Sequence, residues 1–101
     1  MTKTEIDAEI VLSEYIVRLK DNWDDEGAKV INHTAYNMAV NDIYSMLQCD
    51  LNILSVYITP ISDGSVDTQI TLGTESSQKK LFLVTNFKEK QVDRHLEYID
   101  Y

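Results

Sequence analysis

The chain of 101 residues holds a single cysteine, a single proline and three glycines. One thiol cannot close an internal disulfide or supply a multi-cysteine zinc site, and it suits a reducing compartment. So little glycine and proline excludes collagen-like and linker-like chains. Positive charge is scarce too: nine Lys and Arg face seventeen Asp and Glu, for a net charge of −8 and an isoelectric point near 4.5. That balance argues against direct nucleic-acid binding, because clustered Lys and Arg dominate affinity for phosphates. No apolar run reaches the ~18 residues that a membrane span needs, and the opening Met-Thr-Lys-Thr-Glu lacks the apolar core of a signal peptide. The expectation is a cytoplasmic protein with no membrane partner. Against these shortages stand 44% apolar residues, enough for a real core and too many for wholesale disorder.

Residues 1–101 read as one α+β domain. Ile6, Ile10 and Val17, with Leu12, Ile16, Leu19 and Trp23, recur at helical spacing and predict a first helix over about 5–20, capped by Thr4. Asn22 to Gly27 breaks that pattern, and Gly27 is the natural place for a positive φ angle. A second helix is predicted over about 34–48. Asn32 or Thr34 would cap it, Ile31 would staple onto Tyr36, and Ala35 and Ala39 would permit close helix approach.

From Ile53 the period changes to two. Strands are predicted over about 53–59, 66–72 and 80–85, with Asp63-Gly64 as a hairpin turn and a second turn over Gly73–Gln78. Residues 90–99 are ambiguous: Val92, Leu96 and Ile99 suit a helix, whereas Val92, Arg94, Leu96 and Tyr98 suit an edge strand, which continues the meander. The expected architecture is two N-terminal helices packed on a three- to four-stranded antiparallel β-meander. The helical half is the acidic half: residues 1–50 hold ten acids and four bases, residues 51–101 seven and five.

Chemistry is thin on the ground. Cys49 beside Asp50, with His33 or His95 elsewhere, permits a dyad but forms no nucleophile motif. Asp24-Asp25-Glu26 lacks the alternating spacing of a calcium loop, and two isolated His form no zinc pattern. Asp63, Asp67 and Glu75 with Lys79 faintly resemble a metal-dependent nuclease set, although a solvated turn explains Asp63 fully. Lys79, Lys80, Lys88, Lys90 and Arg94 among Phe82, Phe87 and Tyr98 could follow a single strand, but lysine on a sheet edge more often guards it. No catalytic residue, metal or cofactor is therefore assigned. Trp23 reads either as a core cap or as the aromatic anchor of an acidic interface.

The segment Asn22-Trp23-Asp24-Asp25-Glu26-Gly27-Ala28, with the later Pro60, Asp63-Gly64, Val66, Thr68 and Ile70, resembles a group of small, largely uncharacterised bacterial and phage proteins carrying an "NWDGxGA" motif. Asp25 stands where that group has Gly. The resemblance implies a helix–turn–helix–meander layout and a mobile-element origin; it transfers no catalytic residue. Together with the acidic helical half, it sets the functional expectation of a non-enzymatic protein. Such a protein would occupy and inhibit a basic, nucleic-acid-handling partner, as a phage inhibitor of a bacterial defence nuclease (anti-CRISPR-like) does in the host cytoplasm. An antitoxin or immunity protein is the alternative, and a small metal-dependent hydrolase the second. The expected contact residues are Asp21, Asp24, Asp25 and Glu26, with Trp23 or Tyr36 as anchor.

Overall fold

Thr2, not Thr4, begins the first helix in the computed structural model, which describes residues 1–49, 52–74, 76–88 and 91–100, with 84, 86–88 and 91–100 by backbone and register only. Asp50, Glu75 and Lys90 lie outside the described residues. The Thr2 hydroxyl accepts from the Glu5 amide at 3.2 Å and the Glu5 carboxylate accepts from the Thr2 amide at 3.0 Å, a reciprocal capping box. The bond from the Thr2 backbone, then that from its hydroxyl, holds the Glu5 carboxyl below its ordinary range.

The expected continuous helix is split. Helix α1 covers Lys3–Ser13, and a 3-10 helix continues over Glu14–Arg18. Ser13 explains the change. Its buried hydroxyl turns back to the Ile10 carbonyl at 2.6 Å and meets the Tyr36 hydroxyl at 2.7 Å, and such back-bonding competes with regular helix. The buried positions are Ile6, Ile10, Ser13 and Ile16, so the spacing tightens to three where the 3-10 turn begins. Leu12, expected on the buried face, is 69% exposed.

Helix α2 covers His33–Gln48, and the Asn32 side chain caps it by accepting from the Ala35 amide at 3.0 Å. Ala35 and Ala39 are fully buried, and Ile31 shares one apolar cluster with Tyr36. Four antiparallel strands follow in the order β1-β2-β3-β4: β1 Ile53–Pro60, β2 Val66–Thr74, β3 Ser77–Lys88 and β4 Gln91–Asp100. The second turn is tighter than expected, since Thr74 already pairs with Ser77.

Register places Val56, Ile70 and Leu81 side by side beneath the helices, while Tyr57, Gln69 and Phe82 occupy the opposite face. Ile6 and Ile10 of α1 join Ile43 of α2 and that inner row in one core cluster. A second cluster gathers Ile16, Ile31, Ala35, Tyr36, Ala39 and Val66, with Trp23 and Leu19 packed against it. No helix among the described residues is long and apolar enough to cross a membrane.

Candidate functional site

The acidic loop between the 3-10 helix and α2 is organised by its own polar side chains. Asp24 Oδ1 accepts from the amides of Glu26 at 2.9 Å and Ala28 at 3.0 Å. Asn22 Oδ1 accepts from the Gly27 amide at 2.7 Å, and the Asn22 amide donates to the Ala28 carbonyl at 2.6 Å. Asp21 Oδ1 reaches forward to the Val30 amide at 3.2 Å. Short polar side chains suit this task because they replace the backbone partners that a tight loop cannot supply. The chain pays for the tightness in backbone conformation: Asn22, Asp25 and Gly27 all have positive φ, at 62°, 60° and 87°. Asp25 therefore occupies a left-handed position that glycine adopts more readily.

Trp23 is half-buried, packs against the second core cluster and donates its indole N–H to the Lys29 carbonyl at 2.9 Å. The loop is then bound to the β1–β2 turn. The Lys29 amide donates to the Ser62 carbonyl at 2.8 Å, and the Asn32 amide donates to the Gly64 carbonyl at 3.0 Å. Gly64 has φ 93°, and a β-carbon there would stand 2.9 Å from the Val30 carbonyl oxygen. On the far side, the His33 ring Nε2 lies 3.2 Å from the Val17 carbonyl.

Of the expected contact residues, Asp21, Trp23, Asp24, Asp25 and Glu26 lie together on this loop. Asp21, Trp23 and Asp24 spend their polar atoms on the loop's backbone. Asp25 and Glu26 are exposed, and their side chains make no hydrogen bond or ion pair with any described residue. Tyr36 is elsewhere: it is 6% exposed, and its hydroxyl bonds Ser13 and, at 3.4 Å, the Ile10 carbonyl. It is a core residue and cannot act as a surface anchor. Helical spacing alone does not reveal this, because Ser13 stands 23 residues away in sequence.

His33 and Cys49 sit at the two ends of α2, about 24 Å apart at 1.5 Å per residue, too far for a dyad. Cys49 is exposed. Among the described residues no group of three or more His, Cys, Asp or Glu could hold a metal ion. Asp63 Oδ1 accepts from the Ser65 amide at 2.9 Å, as a turn residue does. Sequence reasoning missed a second surface, formed by Leu12, Tyr15 and Tyr57, which are 69%, 47% and 61% exposed. No family model matches the chain, and no curated protein or solved structure is significantly similar to it.

Proposed function

We propose that the protein is a non-enzymatic binding protein whose acidic interhelical loop engages a basic surface on a nucleic-acid-handling protein and inhibits it by occupancy. What supports this reading is the division of labour within the loop. Asp21, Asn22, Asp24 and Trp23 hold the backbone, so Asp25 and Glu26 are presented from a preorganised frame rather than from a mobile segment. Preorganisation lowers the ordering cost of association, and the net charge of −8 steers a basic partner toward the chain.

The test uses immobilised wild-type protein and an Asp25→Asn/Glu26→Gln variant against lysate of the source cell. The expected result is capture of a basic nucleic-acid-handling protein that weakens severalfold for the variant and again between about 50 and 300 mM salt. Capture indifferent to both salt and variant, or no basic protein captured, would overturn the proposal.

A further inference from the structure

One edge of the sheet, distant in sequence from the acidic loop, is formed by β1. Strand order leaves β1 at the end of the sheet, and its eight residues carry no charge. Proteins commonly blunt such an edge with lysine, proline or a bulge. Here Pro60 closes one end, while the bulge between Ile53 and Ser55 and the Met1 amino group on the Ile53 carbonyl occupy the other. The middle is bare: among the described residues nothing outside β2 is hydrogen-bonded to the backbone of Val56–Thr59.

Beside that bare stretch runs a groove of about 100 Å³, lined by Glu9, Leu12 and Tyr15 from the helical side and Val56, Tyr57 and Ile58 from β1. An unpaired strand edge calls for main-chain donors and acceptors, and the groove accepts an apolar side chain, so the occupant is an extended peptide. Charge decides between the two sources of such a strand. Glu9 is the charged group in the lining, and antiparallel β1–β1 pairing of two copies would bring like acids together on chains of −8 each. A cationic segment meets attraction instead.

We propose that β1 takes up an extended segment of a partner as a fifth strand. One apolar side chain enters the groove on the helical face, between Leu12, Tyr15 and Ile58, and a basic residue two positions away, on the same face, meets Glu9. This goes beyond the loop reading and uses none of its residues.

The probe is a capped heptapeptide, Thr-Lys-Thr-Val-Thr-Lys-Thr, whose symmetry places a lysine near Glu9 in either strand direction. Titration followed by backbone amide NMR is expected to shift Val56–Thr59 saturably. The same peptide with glutamate for lysine is expected to bind about tenfold more weakly. Glu9→Gln removes that preference, and Leu12→Ser weakens the lysine peptide severalfold with the fold intact by its amide spectrum. The Asp25→Asn/Glu26→Gln variant binds like wild type, which separates this surface from the loop. Absence of shifts in β1, equal binding of both peptides, or self-association that shifts the same amides would overturn the proposal.

Discussion

The interhelical loop and the β1 edge are opposites in how they use their side chains. The loop is dense in charge, and much of that charge is turned inward: Asp21 and Asp24 accept from their own backbone, and Trp23 closes over Lys29. Strand β1 is free of charge, yet it leaves main-chain groups open beside three large apolar side chains, Leu12, Tyr15 and Tyr57, that face outward. Polar residues hold the loop because a short, tight connection has unsatisfied amides to satisfy. Apolar residues remain outside at the edge because α1 and the 3-10 helix bury only one narrow stripe. Side-chain chemistry alone is thus a poor guide to which surface is free to bind; hydrogen-bond partners decide it.

Substitutions at five positions sharpen the contrast, from the largest expected effect to the smallest. Gly64→Ala is expected to cost about 2–3 kcal/mol, because it combines a positive φ with a β-carbon forced against the Val30 carbonyl, where the loop meets the sheet. Chemical denaturation measures it. Asp24→Ala removes the acceptor of two loop amides and is expected to cost about 1–2 kcal/mol, whereas Asp24→Asn keeps that acceptor and stays within about 0.5 kcal/mol. Equal effects of the two would show that charge, not hydrogen bonding, is what the loop needs.

Two neighbouring residues test the backbone directly. Gly27→Ala meets no atom within 4 Å, so its cost is that of φ alone, about 1 kcal/mol. Asp25→Gly, at φ 60°, is expected to go the other way and raise stability by about 0.5 kcal/mol, with relief of backbone strain exceeding the added freedom of the unfolded chain. Leu12→Ser closes the comparison. A side chain 69% exposed is expected to contribute within about 0.5 kcal/mol, so a large apolar residue at the edge matters less to stability than one loop carboxylate.

Much of the layout is legible in the residues, and the misses have local causes. The α2 stripe and the alternation from Ile53 onward report burial directly, so both elements stand within a few residues of their predicted bounds. The first helix is less legible. Thr2 and Glu5 spell a capping box in the sequence, but the periodicity of Ile6 and Ile10 draws attention to Thr4 instead. The break after Ser13 depends on the hydroxyl of Tyr36, a contact that no local pattern carries. The same contact moves Tyr36 from candidate anchor to core. Clustered acids single out the loop, but they do not distinguish Asp24, which binds its own chain, from Asp25, which does not. The lack of charge over Ile53–Pro60 is visible in the sequence; its meaning depends on the strand order, which places β1 at an edge.

A smaller effect concerns pH. The Tyr44 hydroxyl, and after it the Lys3 ammonium at 3.1 Å, hold the Asp7 carboxyl below its ordinary value, and the same bond raises Tyr44 above its own. A depressed carboxyl contributes stability that is present above its unfolded pKa and lost as pH falls through its folded one. The raised Tyr44 contributes below its unfolded pKa and loses that contribution as pH rises through the folded one. Tyr44→Phe is therefore expected to bring the Asp7 titration, followed by carboxyl NMR, back toward the ordinary range and to weaken the pH dependence of stability at both extremes.

Amide hydrogen exchange of the loop tests most directly the claim that its polar side chains serve its own backbone. Protection is expected at Glu26, Gly27 and Ala28, whose amides donate to Asp24 and Asn22. In Asp24→Ala the protection of Glu26 and Ala28 falls, while Gly27, held by Asn22, keeps more of its own. Exchange at all three amides as fast as in an unstructured peptide, in wild type and variant alike, would contradict it.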